Sequence, residues 1–181
     1  MENKVQFGIK NVHYATMLSE STWDTPKPIP GSVALTLNPV GENSVFYADN
    51  ITYFRSDSNE GYEGDAEFAT LPVDLYKDIF QYTEGLTSKV LTENANALSK
   101  PFALLFEEEG DASGTKYVGY KCTASRPKKT FKTKGKGFDP QTQSISLKFD
   151  PMEDGKVIAF TQSTTPEGTL TAWYTKVFEE V

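Results

Sequence analysis

The chain carries one histidine, His13, and one cysteine, Cys122. Together they could form a thiolate–imidazole pair, but such a pair needs a third group to orient the imidazole. No motif around either residue supplies one. His13 sits in a strand-like run beside Val12 and Tyr14, which suits an ordinary hydrogen bond. Cys122 follows Val118 and Tyr120 at two-residue intervals, as on one strand face, where a thiol acts as a small buried apolar group. One Cys and one His are too few for a structural zinc site within one chain. The acidic stretch DSNEGYEGD (57–65) departs from the helix-loop-helix calcium pattern. Counted from Asp57, Gly61 comes one position early, and the twelfth residue is Phe68 where a glutamate is required. Another kind of cation loop stays open; a solvated or interface loop is the simpler reading. GDASGTK (110–116) lacks phosphate-loop spacing. These residues point to a protein without catalysis, cofactor or metal.

The charge is segregated. RPKKTFKTKGKG (126–137) has six basic residues and no acid, whereas the net charge of the chain is -7. Phosphate neutralisation dominates nucleic-acid affinity, so a general binder needs a prevailing positive field. Here most of the surface repels DNA, and Phe131 and Phe138 are too few aromatics for a stacking platform. Two readings remain for the strip besides direct nucleic-acid binding. It is a solvated loop, or it meets an acidic partner surface. The acidic partner at hand is a second copy, through Glu107, Glu108, Glu109, Asp111, Glu179 and Glu180. Arg126, Lys128, Lys129, Lys132 and Lys134 are the basic candidates for that inter-subunit contact.

The elements that position these groups read as mainly β. At 181 residues the chain makes one domain with arms, and its 13 Gly and 10 Pro favour many turns. Strands are expected over 5–15, 32–40, 65–71, 102–110, 116–126, 144–151, 157–163 and 169–178. Val33, Leu35 and Leu37 are expected on one face of the second of these. Two short aromatic strands, SVFYA and ITYFR, flank the turn pair Asp49-Asn50. One helix is expected over about 72–82, opened by Pro72 and stopped at Gly85. Residues 1–31 read as an N-terminal arm or loop around the first strand, with Trp23 as an anchor in its proline-rich part. The result is a β-sandwich or barrel with one flanking helix. The N-terminus lacks an apolar signal core, and no run is long enough to span a membrane. The single cysteine excludes an internal disulfide and suits a reducing compartment.

Several stretches, in order, carry a family resemblance: IPGSVALTLNP, FYADN, GYEGDAEFATLP before a helix, FALLFEEEGD, YKCTASRP, and a closing TAWYTKVF. The series resembles the major tail proteins, or tail tube proteins, of long non-contractile tailed bacteriophages of Gram-positive hosts. It covers nearly the whole chain. A glycine expected straight after the helix is displaced here to Gly85.

The resemblance implies a tail tube fold whose copies form rings, six to a ring, that stack into a hollow tube. DNA passes through the lumen without specific binding. The expected partners are further copies, the tape measure, the tail tip and the tail terminator. The expected place is the virion tail, assembled in the host cytoplasm, with no membrane role. A long hairpin over 41–60 is expected to meet the next ring through Phe46, Tyr47, Tyr53, Phe54 and Arg55. The terminal segments Met1–Lys4 and Phe178–Val181 and the Trp23 loop are expected as arms. The alternative is a monomeric β-sandwich module binding carbohydrate or another surface ligand, with Trp23 and Trp173 as a sugar platform.

Overall fold

A computed structural model describes residues 8–110, 114–133 and 141–180. The protein is mainly β, built on a large antiparallel sheet. Along its main path the strands run β4 (Ser32–Val40), β7 (Gly61–Phe68), β12 (Gln143–Phe149), β11 (Lys116–Ala124), β10 (Phe102–Glu108) and β1 (Ile9–Ser19). Short strands β2 (Thr22–Trp23) and β3 (Lys27–Pro28) border β1, and β13 (Ile158–Phe160) borders β11. Two hairpins stand apart: β5 (Asn43–Ala48) with β6 (Ile51–Asp57), and β8 (Thr83–Glu84) with β9 (Leu91–Thr92). The strand expected over 5–15 is β1, which runs on to Ser19 and belongs to the main sheet, inside the region also expected as an arm.

Strand alternation divides the apolar residues between two cores. Val12 and Tyr14 of β1 face a core shared with Phe68, Phe102, Leu147, Phe149 and the helix α1 (Val73–Asp78). Ala15 and Met17 of the same strand face the other way, onto Trp173 and Val177. The sheet rolls so that its end strands meet: Ser32 Oγ donates to Ile9 O at 3.4 Å.

A bulge corrects the expected face of Cys122. Phe102 opposes Cys122, but Leu104 opposes Gly119, so β11 carries one extra residue between them. Parity flips there. Cys122 joins the first core, while Val118 and Tyr120 join the second. A second bulge, between Ser32 and Ala34, turns Val33 outward to 51% exposure while Leu35 and Leu37 stay on the core side.

Helix α1 is shorter than expected. Pro72 is its N-cap, with ψ 148°, and the helix is over before Gln81. Gln81 takes a left-handed φ of 57°, and its Nε2 donates to the carbonyls of Lys77 at 3.1 Å and Asp78 at 2.7 Å. That satisfies the last-turn acceptors without a glycine. A second helix, α2 (Glu167–Ala172), replaces the expected final strand. In the turns that follow it, Trp173, Tyr174 and Val177 pack onto the second core. The strand expected over 65–71 begins earlier, at Gly61, and the one over 157–163 shrinks to three residues.

Candidate functional site

The β4–β7 pair continues outward as the β5–β6 hairpin. Glu60 N donates to Val40 O at 2.9 Å, and Ser58 N to Glu42 O at 3.0 Å. Gly41 permits this crossing: a Cβ there would lie 2.0 Å from Ser58 O. At the tip Asp49 and Asn50 both have positive φ, 52° and 60°, as the tight two-residue hairpin turn requires.

Phe46 opposes Phe54 directly, so both rings stand on one face. A bulge inserts Tyr53 beside them, and its ring meets Phe46 edge-on at 6.4 Å. Val45, Tyr47 and Arg55 take the opposite face by alternation. Phe46 is 60% exposed, Tyr47 66%, Tyr53 72% and Phe54 60%. Every residue of β6 is exposed, Arg55 included. A lone two-stranded hairpin is marginal in water. This one presents its aromatic side chains to solvent rather than to a core of its own.

The basic strip divides. Arg126 pairs with Glu93 of the same chain at 2.8 Å, and Lys129 lies over the Tyr82 ring at 5.7 Å. Arg126, then Tyr82, hold the Glu93 carboxyl below its ordinary range. Lys128 bridges backbone to Ser144, and the Lys132 carbonyl accepts from Gln141. Neither Lys128 nor Lys132 has an ion pair among the described residues. Lys134, like Asp111, Met1–Lys4 and Val181, lies outside the described residues.

The expected acidic counterpart divides as well. Glu107 is buried; it pairs with Lys10 at 3.2 Å and accepts from Asn11 at 2.9 Å and Tyr174 at 3.3 Å. Glu107 shares the parity of Ala103 and Leu105, so it points toward the α2 side. Glu108 accepts from the Tyr117 hydroxyl. Glu109, Glu179 and Glu180 are exposed.

The two tryptophans and Phe178 are held on the chain itself. Trp23 anchors on its own chain: its Nε1 donates to Tyr120 O at 3.1 Å. Trp173 is buried, so the two tryptophans form no exposed sugar platform. Phe178 stacks on Trp173 at 5.5 Å, and Glu179 and Glu180 beyond it are exposed.

His13 and Cys122 sit in separate settings. The His13 ring packs on Tyr174, and its Nδ1 is 2.8 Å from Asn11 O. Cys122 is fully buried, and burial raises its thiol pKa well above the ordinary value. Asp65 of the acidic stretch accepts from Ser146 Oγ at 2.8 Å. Among the described residues no helix is long and apolar enough to cross a membrane.

Sequence reasoning found the hairpin but missed an apolar cleft of 450 Å³ along the seam between β1 and β4. Its residues come from six strands far apart in sequence, so no local signal marks it. Compared with known proteins, the chain matches no protein-family model and no curated protein.

Proposed function

We propose that the chain is a self-assembling structural subunit of a phage tail tube, its rings stacking into a hollow conduit for DNA. The observation that carries this reading is the β5–β6 hairpin. Phe46, Tyr47, Tyr53 and Phe54 stand exposed on a ribbon that projects from the main sheet. Exposed aromatic surface of this kind marks an interface, because each ring gains roughly 1.5–3 kcal/mol when a neighbour covers it. A projecting patch that meets a different patch on the next copy generates rings or filaments rather than closed pairs. The net charge of -7 also suits a conduit that DNA must slide through without sticking. In this reading the tail tip, tape measure and tail terminator are the other partners, and assembly takes place in the host cytoplasm.

The test is negative-stain electron microscopy of purified protein over a range of concentrations, at low and high salt, beside sedimentation. Rings or tubes are expected. A protein that stays monomeric up to millimolar concentration would overturn the reading.

A further inference from the structure

The seam cleft, mostly apolar with Glu107 and Glu108 in its lining, and the aromatic hairpin are both open and do not overlap. The cleft walls are Ile9 of β1 and Leu35 and Leu37 of β4, all half-buried. Across it runs a row of rings. Phe106 stacks on Tyr117 at 5.0 Å and an interplanar angle of 5°, and Tyr117 meets Phe160 at 5.8 Å. Phe160 ends the row at 59% exposure. The volume of 450 Å³ falls within the roughly 300–1,000 Å³ of pockets that enclose a drug-sized group. Two or three aromatic side chains are such a group.

We infer that this cleft receives the Phe46, Tyr53 and Phe54 face of the β5–β6 hairpin from a second copy of the chain. The inference rests on the self-assembly reading and names the receptor surface for it. The chain's own hairpin does not fill its own cleft: all of β6 is exposed, and no hairpin residue is among those lining the cleft. Aromatic anchors entering a desolvated aromatic-lined pocket are the usual centre of binding energy at an interface. A projection and a receptor at different places on one chain give a head-to-tail contact, which propagates.

The experiment mixes two single variants, Phe54→Cys on the hairpin and Phe160→Cys in the cleft, with a short bismaleimide. Both positions are exposed, and native Cys122 is fully buried and silent. Docking places the two thiols at an effective concentration on the order of millimolar. At about 10 µM protein the mixture should therefore give ~100-fold more cross-linked dimer than either variant alone. If wild-type and variant proteins assemble but the mixture links no better than each variant alone, the cleft is not the receptor, and self-assembly stands. If nothing associates at any concentration, the self-assembly reading falls and this inference with it. A third outcome also overturns it: an intrachain link from Phe160→Cys to Val5→Cys would assign the cleft to the chain's own first residues.

Discussion

Tyr14 donates its phenol hydrogen to Oδ2 of Asp78 at 3.0 Å, and Lys27 reaches the same oxygen at 2.6 Å. Tyr14 is on β1 at one end of the main sheet, Lys27 on the bordering β3, and Asp78 closes helix α1. One carboxylate thus fastens the helix to two strands beneath it. Tyr14→Phe removes the tyrosine's share and keeps the ring, so it should cost about 1–2 kcal/mol. For a chain of this size that is a fall in Tm of roughly 2–8 °C, read by calorimetry. Asp78→Asn should cost more, because Lys27 then loses its counter-charge. If Tyr14→Phe is as stable as wild type, the bond does not hold the helix down.

Alkaline stability follows from the same packing. Burial, reinforced by Asp78, raises the Tyr14 pKa far above its ordinary value, and burial with Glu107 does the same for Tyr174. Tyr82 and Tyr120 are each pushed up to about 12, chiefly by burial. A raised folded pKa gives stability that is complete below the unfolded value near 10 and lost as pH rises through the folded one. Stability should therefore decline steadily from about pH 10 to pH 12. Urea titrations at fixed pH steps measure it. Tyr14→Phe should flatten the decline; an unchanged slope would remove Tyr14 from the account.

The bulge in β11 leaves Gly119 directly under the Phe149 ring. A Cβ at Gly119 would lie 2.2 Å from Phe149 Cε1 and 2.4 Å from Cδ1. Gly119→Ala should cost about 1–3 kcal/mol through overpacking. In Phe149→Leu the ring is gone, and the same alanine should cost much less. A double-mutant cycle reads this as a coupling of about 0.5–3 kcal/mol. Strict additivity would mean the two do not collide.

Much of this architecture can be read from the sequence, and the failures have physical causes. Ser32–Val40 carries a strand's apolar alternation, broken only where the bulge takes Val33 off the core face, and Asp49-Asn50 is the turn pair that a tight hairpin demands; strand and hairpin therefore lie where expected. The β11 bulge has no composition signal, so the strand period alone put Cys122 on the wrong face. Thr169, Thr171, Trp173 and Tyr174 all favour strands, yet Pro166 followed by Glu167 is a helix start, and the turns after the helix carry Trp173 and Val177 onto the second core. Gln81 ends α1 in a conformation that glycine usually takes, helped by a side chain whose hydrogen bonds no pattern reveals. Glu107-Glu108-Glu109 reads as one acidic surface run, but strand alternation buries its first member.

The basic loop offers a prediction about salt. Lys128, Lys129 and Lys132 are exposed, and Arg126 is already paired with Glu93. Reversing Lys128, Lys129 and Lys132 to Glu should leave the monomer's Tm within about 2 °C, since exposed charges contribute little to folding. If the loop meets acidic neighbours, assembly at low salt should weaken, and its dependence on salt should shrink. Sedimentation of wild type and variant at 50 and at about 500 mM salt compares them, the Debye length falling well below 10 Å at the upper end. Identical salt profiles would leave the loop as a solvated surface.

The hairpin separates folding from assembly. Phe46 and Phe54 face each other across β5 and β6 and touch neither core, so Phe46→Ser with Phe54→Ser removes surface, not packing. Exposed substitutions of this kind usually stay within about 0.5 kcal/mol, so the Tm of the monomer should move by no more than about 2 °C. The same two rings, as central anchors of an interface, should be worth about 2 kcal/mol each when truncated. The concentration needed for assembly should then rise on the order of 10²–10³-fold. Tyr47→Ser, on the hairpin's opposite face, separates the two faces: it should raise that concentration far less. Light scattering against concentration measures all three proteins. Should Tyr47→Ser block assembly while the phenylalanine pair leaves it intact, the docking face is the other one, and the hairpin must approach its neighbour turned by half a rotation.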